Sequence, residues 1–321
     1  MKLRKVLLSL FLLAAVMTPT LTPAKAAQDL KGEVKFYFFG DKSEEAAYGK
    51  VVEGFNKKYP NVTVKPVVLP DGDEYLKKLT TDFAAAAPPD VFLINYREYV
   101  AYAKRGQIEA AAPYLEKSKV IKKEDFYTPS LNAFTREGTL QCMAQNLSSL
   151  AVYYNKDLFK KANLALPTPE WTWDDFLKAA QALTKDGDAK TKQYGAGVQV
   201  QFYRLMSFIW SNGGEIVDNQ DKPTKLLIDS PEAKAAIQWF ADLQAKHKVV
   251  PNEIDEKAQS SQNRFLAGTL GMFLQSRRFT TTARGIKDFD WDVVNLPKSK
   301  KSVTVLHSDG FCMAKDGKNK D

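Results

Sequence analysis

Two short polar clusters each follow a run that reads as a β-strand. Gly40-Asp41-Lys42-Ser43 comes directly after the aromatic-rich run 33–39, and Asn95-Tyr96-Arg97 comes after the apolar run 91–94. In sheets built from alternating strands and helices, ligands bind beyond the carboxyl ends of the strands. A carboxylate beside an ammonium, as at Asp41-Lys42, offers acceptors and donors together, which is what hydroxyl groups need. For both clusters the alternative is a solvated loop end. Bond-breaking chemistry finds less support. His247 and His307 stand at the ends of a predicted helix and a predicted strand, and neither belongs to a nucleophile motif. There is no G-x-S-x-G, and no Gly-rich phosphate loop or H-E-x-x-H. Asp174 and Asp175 are adjacent at a predicted helix start, where the dipole favours acids anyway. Cys142 and Cys312 do not form a C-x-x-C pair, so neither redox catalysis nor a zinc site is suggested, and no metal or cofactor is expected.

The elements that must position these residues follow from periodicity. Residues 33–39 read as a strand, and the next helix is expected to turn Ala46, Ala47, Val51 and Phe55 toward the core. Tyr59-Pro60-Asn61 is a turn, 62–69 a second strand, 73–85 a helix broken by Pro88-Pro89-Asp90, and 91–94 a third strand. Strands alternating with helices predict a largely parallel sheet. Residues 107–115 read as a connector, 126–134 as a helix despite Pro129, and 138–144 as a short strand. The run 150–154 suits a buried strand, followed by a turn and a short helix with Leu158 and Phe159. After the proline-broken stretch 166–170, Thr172 and Asp175 form a capping-box pattern for a helix with Phe176, Leu177, Ala180 and Leu183 on one face. A strand over 194–200 and an apolar helix over 202–210 come next. Ser230-Pro231-Glu232 starts another helix, with Ile237, Phe240 and Leu243 inward. A helix over 259–267 stops at Gly268, and 271–274 and 310–314 read as strands. The basic run 298–301 is read as a solvated loop.

At 321 residues the chain is long for one core, so two lobes are expected. Its 44% hydrophobic and 26% charged residues fit a globular protein. The formal charge is +8, but Lys2, Arg4, Lys5 and Lys25 supply four of those charges within the first 26 residues, leaving +4. That excess gives little reason to expect nucleic acid. Residues 1–26 read as a secretory signal peptide: a basic start, an apolar run over 6–17, and Ala24-Lys25-Ala26 as a small-x-small cleavage site. The apolar run is too short for a membrane span of about 20 residues. No cysteine at the cleavage site indicates a lipoprotein anchor. The mature chain is expected outside the cytoplasm, in the periplasm or at the cell exterior.

YYNKDLFKKANL, followed by P-x-W-T-W-D-D-F at 169–176, closely resembles the hallmark segment of extracellular solute-binding proteins that feed ABC-type sugar importers. These are the family 1, maltose-binding-protein-like members. Further stretches resemble the same family: F-N-K-K-Y-P-N-V-T-V, A-x-x-P-D-V, L-M-S-F-I-W-S-N-G-G-E-I, R-F-L-A-G-T-L-G-M-F, W-D-V-V-N-L-P and D-G-K-N-K. The resemblance implies an α/β, two-lobed periplasmic-binding-protein-like (type II) fold, with a ligand cleft and crossing hinge strands. It implies a first lobe of 27–144 plus 309–321 and a second lobe of 145–308. Helices completing the first lobe would follow residue 321 in the family, so the C-terminal part of that lobe is read as missing, through either a fragment or a short member. Gln141-Cys142-Met143-Ala144 departs from the family's Y-G-x-P, which leaves the hinge geometry open. Gly271 stands where alanine is common.

The resemblance further implies a substrate-binding component that carries a mono- or oligosaccharide to ABC permease subunits, as a monomer and without catalysis. Its implied ligand-binding residues are Asp41, Lys42, Asn95, Tyr96, Ser148, Ser149, Tyr203, Trp210, Arg277 and Arg278. A flat aromatic ring such as Tyr203 or Trp210 suits the apolar C–H face of a pyranose, although core packing is an alternative for each. Arg277 or Arg278 would meet the ligand, with a surface charge as the other reading. In the family the strands carrying Cys142 and Cys312 run side by side, and export permits a disulfide there; two buried free thiols are the alternative. The main rival function is a secreted glycoside hydrolase, since distant acids can converge in a fold. A secreted scaffold or adhesion protein is a third class.

Overall fold

The computed structural model describes residues 30–188, 192–220 and 222–320. The signal peptide expected at 1–26 lies outside the described residues. The chain forms two units, one running to Asp90 and taking in residues from Gly317, the other Val91–Asp316.

In the first unit, strand β1 (Gly32–Phe39) pairs in parallel with β2 (Val62–Leu69), from Gly32 opposite Val62 to Phe39 opposite Leu69. Helix α1 (Lys42–Lys58) connects them, and α2 (Gly72–Ala84) follows β2. α1 does not present the face expected of it. Ala46, Ala47, Val51 and Phe55 are exposed, whereas Tyr48, Val52 and Asn56 are half-buried. Tyr48 packs on Phe36 and Phe38 with ring centroids 5.8 and 4.6 Å away. A phenol ring covers far more of those rings than an alanine does, and so sets the helix rotation. α2 buries Tyr75 and Leu79, and the Tyr75 hydroxyl donates to Tyr37 O at 3.3 Å. The D-G-K-N-K stretch is tied down by Lys318 N donating to Asp90 Oδ1 and Asn319 Nδ2 to Glu33 O.

Among the described residues, the second unit carries strands of two larger sheets and one short hairpin. In one, β13 (Asp309–Ala314) is antiparallel to β3 (Val91–Asn95) on one side. On its other side it is antiparallel to β4 (Ile108–Glu109) and β7 (Met143–Ala144). Helices α3 (Tyr96–Lys104), α4 (Ala112–Lys117) and α5 (Thr128–Asn132) belong to this part. The expected strand over 138–144 is divided. Its start pairs as β6 (Thr139–Leu140) with β5 (Thr135–Arg136), around Glu137 and Gly138 at φ +50° and +78°. A type I′ hairpin turn needs positive φ at both central positions, and Gly138 supplies one at no steric cost. Cys142 precedes β7 and is disulfide-bonded to Cys312 of β13, with Cα atoms 4.5 Å apart.

The other sheet has the order β11-β8-β10-β9, with β12 also on β8. Its strands are β8 (Ser148–Asn155), β9 (Tyr194–Gly197), β10 (Leu270–Ser276), β11 (Trp291–Val294) and β12 (Leu306–His307). β9 and β10 are parallel, whereas β10, β11 and β12 all run antiparallel to β8. The sheets are therefore mixed rather than largely parallel. β13 follows β12 in the chain and runs antiparallel to β3, β4 and β7.

β8 is buried on both faces, which explains its unbroken apolar run. Leu150, Val152 and Tyr154 join a core with Phe176, Phe208 and Phe240, while Tyr153 joins Phe265, Phe273 and Phe279 on the opposite face. Around the first core lie α6 (Lys156–Lys161), α7 (Trp173–Leu183), α8 (Phe202–Ser211) and α9 (Pro231–Ala245). α7 has the expected capping box, and the Thr172 hydroxyl holds the Asp175 carboxyl below its ordinary pKa. α9 starts with Ser230 as cap and Pro231 in its first turn. The helix expected over 259–267 is α11 (Ser261–Leu266), capped by Ser260, and a further short helix, α10 (Glu253–Ala258), precedes it. α12 (Thr280–Ala283) follows a 3-10 turn at Arg277–Phe279. A Cβ on Gly271 would sit 2.7 Å from Leu183 Cδ1 and 2.8 Å from Gly195 O, so α7 and β9 exclude alanine there.

Candidate ligand-binding site

Asp41 and Lys42 lie in the first unit, and both side chains are engaged locally. Asp41 Oδ1 accepts from Ser43 N and Glu44 N at 2.9 and 3.0 Å, capping α1. Lys42, its side chain 94% exposed, pairs with Glu45 at 2.7 Å.

In the second unit, the end of β3 leads to a denser arrangement. Asn95 caps α3, its Oδ1 accepting from Arg97 N and Arg97 Nε at 3.2 and 2.9 Å. Its Nδ2 donates to Asp309 Oδ1 at 2.9 Å. The second Asp309 oxygen accepts from Asn146 Nδ2 at 2.9 Å, and Asp309 N donates back to Asn146 Oδ1 at 2.9 Å. Asn95 is thus a bracket between β3 and β13. It positions its neighbours and has little left for a ligand.

Those neighbours are Tyr96 and Arg97. Tyr96 meets the His307 ring edge-on at 6.3 Å, and Tyr203 of α8 meets it edge-on at 5.2 Å. The Arg97 guanidinium lies over the Tyr203 ring at 5.3 Å, and that of Arg204 lies 5.5 Å from it. Such cation–π contacts favour the cations while leaving ring edges free. Arg204 is buried, and its guanidinium is taken up by Leu274 O, Gln199 Oε1 and Gln275 Oε1 at 2.6, 2.7 and 2.9 Å. Burial pulls its pKa down from the ordinary arginine value. It fixes α8 to β10. Arg97 is exposed and can meet a ligand.

His307 is half-buried. Burial, then the nearby Arg97 and Arg204 charges, hold its pKa down to about 4 against the pull of Asp309, so the imidazole is neutral near pH 7. β12 is fixed from both sides: Val305 N donates to Ser207 Oγ at 2.9 Å, and Leu150 N to Thr304 Oγ1 at 3.2 Å. In that register His307 faces Ser148, and Leu306 faces Ser149. Burial raises the Tyr96 phenol pKa, so that group is a neutral donor and acceptor.

The structure therefore gathers Tyr96, Ser148 and Tyr203 around His307. Trp210 is partly buried and packs against the core that contains Phe208. Arg277 and Arg278 are exposed in the turn after β10. Arg277 lies beside Tyr153, whose hydroxyl donates to Ser276 O at 3.2 Å, on the sheet face opposite Val152 and Tyr154. His307, Arg204 and Asp309 were not among the expected ligand-binding residues. The available signal was the polar run His307-Ser308-Asp309 directly before the second crossing strand. A cavity of about 440 Å³ beside Tyr194, lined also by Lys192, Lys248 and Asn252, shares no residue with this cluster. Among the described residues, no group of His, Cys, Asp and Glu is placed to hold a metal ion, and no helix is long and apolar enough to cross a membrane. Neutral donors and acceptors beside aromatic rings suit the holding of a polyhydroxylated solute.

Fold and cluster together define a solute-binding protein of the α/β, periplasmic-binding-protein-like class. The chain belongs to the family of bacterial extracellular solute-binding proteins, whose model matches residues 40–321. It is similar to the ABC substrate-binding protein Lmo0181 from Listeria monocytogenes in complex with cycloalternan. That structure is 27% identical with a TM-score of 0.80, over 89% of this chain and 71% of the other. A binding protein of Brucella abortus (strain 2308) is 28% identical over 290 residues, 85% of this chain. The arabinooligosaccharide-binding protein of Bacillus subtilis (strain 168) is 24% identical over 249 residues, 76% of this chain. The chain spans 66% and 55% of the lengths of these two curated relatives.

Proposed function

We propose that this chain is the extracytoplasmic substrate-binding component of an ABC importer. It binds a mono- or oligosaccharide and delivers it unchanged to permease subunits in the membrane. The carrying observation is the cluster of Tyr96, Tyr203, Ser148 and neutral His307, with Arg97 at its exposed side. Uncharged polar groups match a sugar's hydroxyls, and the ring edges offer it apolar contact. Further support is that the Listeria relative is in complex with cycloalternan and that the Bacillus relative is an arabinooligosaccharide-binding protein. In this reading residues 1–26 are a signal peptide, and the mature protein works outside the cytoplasmic membrane as a monomer.

The test is calorimetry and thermal shift with glucose, maltose, arabinotriose, mannitol and sn-glycerol 3-phosphate, followed by chromatography of the recovered solute. Saturable 1:1 binding with the sugar recovered intact is the expected result. Released products would favour a glycoside hydrolase instead. A melting temperature unmoved by every solute would favour a scaffold.

A further inference from the structure

Two buried polar atoms at this site, Ser148 Oγ and His307 Nε2, have no hydrogen-bond partner within the protein. They belong to residues directly opposite each other in the β8–β12 pairing. Opposed residues send their side chains to the same face, with Cβ atoms about 5 Å apart. Buried hydrogen-bonding groups are nearly always satisfied, because leaving one unpaired costs stability that an apolar residue would not cost. Two such atoms side by side, at the end of a tightly bracketed strand, therefore call for a common partner.

The chemistry of that partner can be narrowed. Neutral imidazole Nε2 either donates or accepts, according to tautomer, and a serine hydroxyl does both. A ligand hydroxyl can give to one and take from the other. An ammonium is disfavoured by the nearby Arg97 and Arg204 charges, which add to burial in keeping the imidazole neutral. A carboxylate or phosphate would enter the field of the Asp309 carboxylate, whose charge also acts on the imidazole. The approach is open to side-chain motion, since Tyr96 and Tyr203, which pen the ring edge-on, are both only half-buried.

We infer that His307 and Ser148 form the specificity-determining pair of the site, reading one hydroxyl of a neutral carbohydrate between them. This rests on the carbohydrate-binding reading above. In it, a ligand hydroxyl supplies the hydrogen bond that neither atom finds within the protein.

The experiment compares the full chain with Ser148→Ala, His307→Phe and His307→Gln. Affinities for maltose, arabinotriose, mannitol and sn-glycerol 3-phosphate are measured by calorimetry, and ligand-free melting temperatures are recorded in parallel. Ser148→Ala and His307→Phe should each weaken the sugar bound by the parent by about tenfold or more. Neither should lower the ligand-free melting temperature, since each removes a buried atom that lacks a partner. His307→Gln should recover part of the affinity. A purely structural pair would lower melting temperature and leave affinity in place. Unchanged sugar affinity in Ser148→Ala and His307→Phe overturns the inference while leaving the carbohydrate reading intact. A parent that binds none of the three neutral solutes overturns both. Tighter binding of sn-glycerol 3-phosphate, lost in the same variants, overturns the assignment to a neutral hydroxyl.

Discussion

A polar residue just after β1 and another at the end of β3 cap the helices that follow, Asp41 for α1 and Asn95 for α3. At Asp41 the story stays within four residues. Its carboxylate takes Ser43 N and Glu44 N, and Glu44 Oε2 returns to Asp41 N at 3.0 Å, so a capping box is closed on the spot. At Asn95 the side chain also reaches Asp309, 214 residues along the chain. Asp309 in turn holds Asn146, and the strand carrying Asp309 is disulfide-bonded just ahead of β7. One cap ends a helix. The other locks strands together and thereby sets Tyr96 and Arg97 against Tyr203 and His307. Two loops that look alike as polar clusters after strands thus differ in how far their bonds reach, and reach is what makes a rigid site.

The comparison can be broken most forcefully at the disulfide. Cys142→Ser with Cys312→Ser should lower unfolding free energy by about 4–5 kcal/mol, since the bridge closes a very long loop of the unfolded chain. Urea unfolding measures this. Hydrogen exchange should rise in β13 and β7 and stay unchanged in β1 and β2; a uniform rise would mean that the two ends are not independent. Next, Arg204→Ala strips Leu274 O, Gln199 and Gln275 of a buried charged donor. A loss of about 2–3 kcal/mol is expected in the same assay. Tyr203→Ala should weaken sugar binding by about 1–2 kcal/mol with a small effect on stability, whereas Trp210→Ala should do the reverse, because Trp210 packs on the core.

His307 gives a pH signature of smaller size. Its folded pKa, about 4, lies below the ordinary 6.5. The unfolded chain therefore binds the extra proton first as pH falls. The stabilisation is fully present above about pH 6.5 and is lost as pH falls toward 4. After discounting for the exposed part of the ring, about 1 kcal/mol is expected. It shows as a larger drop in melting temperature between pH 7 and pH 4.5 for the parent than for His307→Gln, and equal drops would refute it. Smallest is Asp41→Ala, which should cost about 1 kcal/mol or less through the lost cap. Asp41→Asn should cost still less.

Local chemistry was legible where few residues settle it. The Thr172–Asp175 capping box, the Ser230-Pro231 helix start and β2 over 62–69 stand where the residues place them. Such signals act within one turn of helix or one strand, so no distant contact overrides them. α1 went differently. Ala46, Ala47, Val51 and Phe55 make an apolar stripe on paper, yet the helix turns Tyr48 inward because the rings of Phe36 and Phe38 wait there. Which stripe a helix buries depends on the surface it meets, and that surface comes from another segment.

The same division runs through the site. The hallmark segment 153–176, together with the motifs before and after it, was enough to place the chain among solute-binding proteins. It was also enough to mark Tyr96, Ser148 and Tyr203 as candidates. What the residues alone left undecided was the company these would keep. His307 is an unremarkable strand-end histidine until the β8–β12 register sets it opposite Ser148, with tyrosines on two sides and two guanidiniums nearby. Residue type fixes what a side chain can donate or accept. Only the tertiary structure decides which groups from positions 96, 148, 203 and 307 are desolvated together, because strand register and burial are settled by contacts far apart in the chain.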